Sequence, residues 1–169
     1  MEFIKDMLGY IIVIIIVILI RNYVIAPAEV FEESMSPNLH DGDIILLDKI
    51  SYKFKDIKRF DVIVFDYDQT KYLIKRVIGL PGDYIEYKDN VLYINNKIIE
   101  EPYLDNITTE NFSLTDLGYE KIPNDMYLVL GDNREVSIDS RKIGLIKKDE
   151  ITGKAFIRIF PFNKISTTK

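Results

Sequence analysis

The hydrophobic pattern of this chain changes period once. Met7 to Ile20 read MLGYIIVIIIVILI without a charge, and as a helix that run covers roughly 21 Å at about 1.5 Å per residue. Continued through Arg21, Asn22, Tyr23, Val24 and Ile25, with Arg21 snorkelling to the interface, it reaches bilayer-spanning length. We therefore expect one N-terminal transmembrane helix over residues 5–25. A removable secretory signal is the competing reading, because the run is short and Ala26-Pro27-Ala28 imitates a small-x-small cleavage site.

Beyond the run, short apolar stretches alternate with polar residues, as strands do. Examples are Asp43-Ile44-Ile45-Leu46-Leu47, Asp61-Val62-Ile63-Val64-Phe65 and Tyr72-Leu73-Ile74. Turn residues separate them at Asp41-Gly42-Asp43, Leu80-Pro81-Gly82-Asp83, Lys88-Asp89-Asn90, Asn95-Asn96 and Gly131-Asp132-Asn133. Tyr84 to Ile94, broken at Asp89-Asn90, reads as a β-hairpin that Asn95 to Ile99 extends. Helical periodicity is scarce, and Glu100 to Lys121 is polar and weakly patterned. The expected organisation is an anchor (1–25) followed by one mainly β domain (26–169). Its core is 26–83 with 122–165, and 84–121 is an inserted β subdomain.

Composition narrows the chemistry. The 169 residues suit a single core. A net charge of −5 with interspersed signs gives no basic stripe for nucleic acid. Without cysteine, any nucleophile is oxygen-based, and one histidine, His40, cannot assemble a two-His metal centre. No cofactor is expected.

Ser34 stands a few residues beyond the proposed membrane boundary, so a nucleophile there works near the bilayer surface. A serine hydroxyl needs a base. His40 lies six residues on, across Pro37, and reads as a polar loop residue. A lysine serves only when neutral, which requires burial among apolar groups. Lys75 follows Tyr72-Leu73-Ile74 and precedes Arg76-Val77-Ile78-Gly79, and the neighbouring Arg76 cation is expected to depress it further. Spacing alone leaves Lys75 open to the alternative of a solvent-facing strand lysine.

Several separated segments resemble, in the same order, the bacterial type I signal peptidases. They are Ser34-Met35-Ser36-Pro37-Asn38-Leu39, then Arg59-Phe60-Asp61-Val62-Ile63-Val64. Lys75-Arg76-Val77-Ile78-Gly79-Leu80-Pro81-Gly82-Asp83 follows, and Gly131 to Arg141 (GDNREVSIDSR) comes last. The resemblance spans nearly the whole chain. It implies an antiparallel-sheet peptidase core in which Ser34 forms an acyl-enzyme and Lys75 is the general base. It further implies that Ser137 hydrogen-bonds and orients the lysine, and that Met35 packs beside the nucleophile. Asp139 should pair with Arg141, and Arg76 with Asp132. The implied activity is cleavage of signal peptides from exported preproteins by a monomeric, single-pass membrane protein, N-terminus cytoplasmic and peptidase domain outside.

The chain departs from the family pattern at Glu32, where glycine or serine is usual, at Asn38 in place of threonine, and at Phe60 in place of glycine. An ionised Glu32 carboxylate cannot donate to an oxyanion, which leaves the Ser34 N–H and the Glu32 backbone as candidate donors. Two rivals remain. A repressor-type Ser/Lys autoprotease should carry a DNA-binding helical domain instead of the apolar run. An impaired, anchored β domain would only bind peptides.

Overall fold

The computed structural model describes residues 2–68, 71–105 and 107–168, with side chains from residue 7 onward. The long apolar run folds as α1 (Glu2–Tyr23), and Met7 to Ile20 are exposed on every side of it. Among the described residues no helix is long and apolar enough to cross a membrane. The start of the expected anchor, Met1 and the side chains of residues 2–6, lies outside the described residues. Its end is displaced: the helix stops at Tyr23, and Ile25 already belongs to a strand.

The remainder is mainly β, as the pattern predicts. The strands are β1 (Ile25–Glu29), β2 (Ile44–Asp48), β3 (Val62–Asp66), β4 (Tyr72–Gly79), β5 (Ile85–Lys88), β6 (Val91–Ile94), β7 (Lys97–Ile99) and β8 (Phe112–Ser113). Then come β9 (Met126–Leu130), the single-turn α2 (Ser140–Ile143), β10 (Ile146–Lys147), β11 (Ile151–Phe160) and β12 (Ser166–Thr167). One sheet runs β1-β2-β11-β3-β4-β9-β10, with β12 beside β11, and a second runs β7-β6-β5-β8. Among the described residues every strand pairing is antiparallel.

The small sheet grows from two tight turns. Asp89 (φ 50°) and Asn90 (φ 65°), then Asn95 (φ 52°) and Asn96 (φ 64°), hold consecutive left-handed residues, the backbone a two-residue hairpin turn requires. The sheet shares a core with its host, because Ile85, Tyr87, Leu92 and Phe112 pack in one cluster with Ile78, Leu128 and Leu130 of β4 and β9. The stretch read as polar and weakly patterned contributes Phe112 and Leu114 to it. A second cluster, around Met35, Leu39, Ile45, Leu47, Val64 and Ile74, lies under the loop after β1. The centre of β4 is covered on both faces, and Ile74 to Gly79 are all buried.

Candidate active site

The loop between β1 and β2 folds back on itself. The Ser36 N–H donates to Glu33 O (3.1 Å) and the Leu39 N–H to Met35 O (2.9 Å), while the Met35 side chain, wholly buried, plugs the loop into the core. This presents Ser34 toward the middle of β4. Lys75, paired with Ile63 of β3, is 1% exposed. Its Nζ donates to Ser34 Oγ (2.8 Å) and to Ile74 O (2.9 Å).

Burial pulls the Lys75 ammonium down to about 8, against the negative charges of Asp139, Glu32 and Asp132, which pull it up. The expectation that Arg76 depresses Lys75 is corrected. Successive strand residues point to opposite faces, and Arg76 turns away to a bidentate ion pair, Nε to Asp132 Oδ1 (2.9 Å) and Nη2 to Oδ2 (2.7 Å). Desolvation accounts for the lowered value. A hydroxyl 2.8 Å from such an amine can pass its proton to it once the amine is neutral.

The expected Arg76–Asp132 and Asp139–Arg141 pairs are both present. Arg141 grips Asp139 through Nε (2.9 Å) and Nη2 (2.8 Å), and Asp139 also accepts from the Gly131 N–H (3.0 Å). Burial raises the Asp139 carboxyl, but the Arg141 hydrogen bonds and charge with the Gly131 N–H outweigh it and hold it low.

Ser137 is corrected. Its hydroxyl is buried without a hydrogen-bond partner and does not bond Lys75; it lies near enough to Asp139 to favour that carboxylate, without meeting hydrogen-bond geometry. Ser137 is nevertheless at the site: a Cβ on Gly131 would collide with Ser137 Oγ and stand 2.5 Å from Ser34 O. The Asn133 N–H donates to that same Ser34 carbonyl (3.1 Å).

The Glu32 N–H is also removed as an oxyanion donor, since it donates to Asp41 Oδ1 (3.0 Å). Among the described residues the Ser34 N–H has no backbone partner. Two of the three departures from the family pattern, Glu32 (φ 71°) and Phe60 (φ 69°), occupy left-handed backbone, the region where glycine avoids a steric cost. His40 sits in the loop as read, with Nδ1 3.2 Å from Glu33 Oε2.

Sequence reasoning missed Asn38 and Arg134. Asn38 Nδ2 donates to Asp132 Oδ2 (2.9 Å) and Tyr103 O (2.9 Å), tying the Ser34 loop to the Arg76 brace. Tyr103 lies under the Arg76 guanidinium, 4.0 Å from ring centre to Cζ. Arg134, buried, reaches from Gly131 O (3.1 Å) to Thr109 Oγ1 (2.7 Å) and Glu101 Oε1 (2.5 Å), joining the last segment to the small-sheet region.

Ser34 and Lys75 open onto a cleft of about 670 Å³, whose apolar wall includes Ala26, Ala28, Ile45, Leu47, Val64 and Ile74. Two strand edges face it. Among the described residues β1 is the outer strand of its sheet and pairs only with β2. β9 meets β4 only from Arg76 onward, so Tyr72 to Lys75 lack a partner on that side among the described residues.

Known proteins resemble the chain closely. A family model described as "Signal peptidase, peptidase S26" matches residues 2–160. A Signal peptidase I of Bacillus amyloliquefaciens is 42% identical over 165 residues, covering 94% of this chain and 89% of the relative. Signal peptidase IB of Staphylococcus aureus strain Mu50 is 39% identical over 177 residues, with 95% and 93% covered. A crystal structure of a signal peptidase I from Enterococcus faecalis V583 aligns with a TM-score of 0.55 and 38% identity, covering 59% of this chain and 97% of that one.

Proposed function

Since the chain belongs to the signal peptidase family, peptidase S26, we propose that it is a membrane-anchored serine endopeptidase that removes signal peptides from exported preproteins. The observation that carries this reading is the 2.8 Å contact of Ser34 Oγ with a buried Lys75 amine lowered to about 8. In the neutral form the contact reverses and the hydroxyl donates to the amine. Ser34 Oγ then attacks the scissile carbonyl carbon while its proton passes to Lys75 Nζ, and the ammonium returns that proton to the departing amine. The neutral amine next draws a proton from water as the water oxygen attacks the ester carbon, and the ammonium returns that proton to Ser34 Oγ as the acyl–Oγ bond breaks and the acid product leaves. The Ser34 N–H is one donor for the oxyanion. Ser137 supports the site from beside Gly131, and Arg76, Asp132, Asp139, Arg141 and Met35 hold it in place.

An extended peptide would add to the open edges of β1 and β4 through backbone hydrogen bonds. The alanines of β1 and the aliphatic wall would then receive small side chains before the cut. Residues 26–169 form the extracytoplasmic part, with 84–121 inserted into its core, and the chain acts as a monomer without a cofactor. α1 anchors the chain in the bilayer: its uncharged run from Met7 to Ile20 covers about 21 Å of a hydrocarbon core of about 30 Å, and Arg21, snorkelling to the interface, extends the reach of the helix. Its surface of exposed isoleucines and valines suits lipid.

Cleavage of a preprotein by the detergent-solubilised chain tests the activity, with Ser34→Ala and Lys75→Ala as controls. Cleavage should end in both, and a variant that cleaves undiminished removes its residue from the mechanism. Retention of the chain in membranes washed with alkaline carbonate tests the anchor.

A further inference from the structure

A second cavity, of about 600 Å³, lies on the other side of Lys49 and Thr152, which border both it and the cleft. Four lysines line it, Lys49, Lys53, Lys147 and Lys148, against two carboxylates, Asp125 and Asp149. Among the described residues none of the four ammonium groups stands in an ion pair. In a chain of net charge −5, this is a local concentration of unspent cations around a hollow.

Its position points to the occupant. The Lys49 N–H donates to Val24 O (2.9 Å) and Lys49 Nζ to Asn22 O (3.4 Å), so the cavity adjoins the last turn of α1, where the apolar run ends. Phe54 follows Lys53 directly and is 80% exposed, with Lys55 on its other side. An unburied aromatic between lysines at a helix exit matches the bilayer interface, where the ring enters the acyl boundary and cations meet anionic headgroups. The segment is held in shape: the Tyr52 hydroxyl donates to Asp61 Oδ2 (2.9 Å).

We propose that this cavity binds the phosphate of an anionic phospholipid headgroup, seating the peptidase domain on the membrane beside its anchor. The proposal rests on the anchored reading above. A phosphodiester oxygen at the mouth would meet Lys53, Lys147 and Lys148, with Lys49 at the α1 side. Since Lys49 also borders the cleft, a bound headgroup fixes the height at which the cleft opens over the bilayer.

The test uses the full chain in dodecyl maltoside micelles, titrated with dihexanoyl phosphatidylglycerol, dihexanoyl phosphatidylcholine or inorganic phosphate and read by native mass spectrometry. The glycerol lipid should bind at least about tenfold more tightly than either other probe. Each juxtamembrane lysine contributes about fivefold in affinity. The combined Lys53→Gln, Lys147→Gln and Lys148→Gln variant should therefore lose on the order of 100-fold, with peptide cleavage in detergent unchanged. Lys88→Gln, Lys97→Gln and Lys121→Gln together should lose nothing. Equal binding of the choline lipid, phosphate matching the lipid, or full affinity in the first triple variant overturns the proposal. Displacement of the lipid by an acidic peptide at lower concentration overturns it in favour of a polypeptide partner. Carbonate extraction separates the two readings: a chain retained in membranes that shows no preference for the glycerol lipid defeats this proposal alone, whereas a chain released defeats both.

Discussion

The neutral form of Lys75 should set the pH dependence of cleavage, and Glu32 should tune it. With the amine lowered to about 8, about one molecule in eleven is neutral at pH 7 and about ten in eleven at pH 9. kcat/KM, which reports groups of the free enzyme, should therefore rise about tenfold between those values with a midpoint near 8. Glu32 is exposed, yet its charge is among those that raise Lys75. Glu32→Gln keeps the Cβ and the left-handed backbone while removing the charge, so the midpoint should move below 8. The gain at pH 7 is bounded at about elevenfold, the factor that full neutralisation would give. Glu32→Gly removes the charge and the left-handed cost as well, so it should shift the midpoint likewise and stabilise the fold by about 1 kcal/mol. The assay is kcat/KM on a fluorogenic signal-peptide substrate from pH 6 to 10 in detergent. A profile flat across pH 6–9 would refute Lys75 as the base. A Glu32→Gln midpoint at or above that of the parent would refute the electrostatic reach of Glu32.

Three further outcomes follow from the geometry. Gly131→Ala places a methyl against Ser137 Oγ and 2.5 Å from Ser34 O; displacing the nucleophile by about 1 Å should cost about 100-fold in kcat/KM, and an active variant would refute the close packing. Asp132→Ala strands the buried Arg76 charge and should destabilise the chain by about 3–5 kcal/mol in denaturant unfolding. Lys75→Met should be inactive yet more stable at pH 7 by up to about 3 kcal/mol, because the folded chain holds this lysine at about 8 and the unfolded one at 10.5. The folded state binds fewer protons there, so the penalty carried by the lysine is full below pH 8 and fades toward pH 10.5. Thermal unfolding at pH 7 and pH 10 should show the advantage of methionine shrinking.

Legibility followed the reach of each interaction along the chain. β2 alternates half-buried and buried residues, so its period was plain. The Asp89-Asn90 and Asn95-Asn96 turns declared themselves because two adjacent left-handed residues demand such side chains. β11 went unread: its register shifts between Ala155 and Ile157 and between Arg158 and Phe160, which breaks the alternation. Its charged Lys154 and Arg158 are paired with Asp61 and Asp43, residues distant in sequence. Asn38 was noticed only as a departure, because its acceptor Asp132 lies 94 residues away. For Lys75, spacing could not separate a solvent-facing from a buried lysine; the answer depends on what covers β4 from both sides.

That double cover also explains why Lys75 and Arg76 are neighbours. On a strand buried on both faces, Lys75 and Arg76 must point to opposite sides, and a lone cation on either side would be costly. The chain resolves the two differently. Arg76 donates two hydrogen bonds to Asp132 and a third to Phe60 O, and Asn38 in turn donates to Asp132. Lys75 has no carboxylate in ion-pair contact among the described residues, so desolvation acts on it and its proton is loosened. Asp132 belongs to the loop whose Gly131 and Asn133 abut the Ser34 carbonyl. The ion pair that steadies β4 therefore also places Ser34 Oγ against the Lys75 amine. Moving the arginine by one position would aim it into the cleft and leave Asp132 unpaired, so the order Lys75-Arg76 follows from the sheet's geometry as much as from the chemistry.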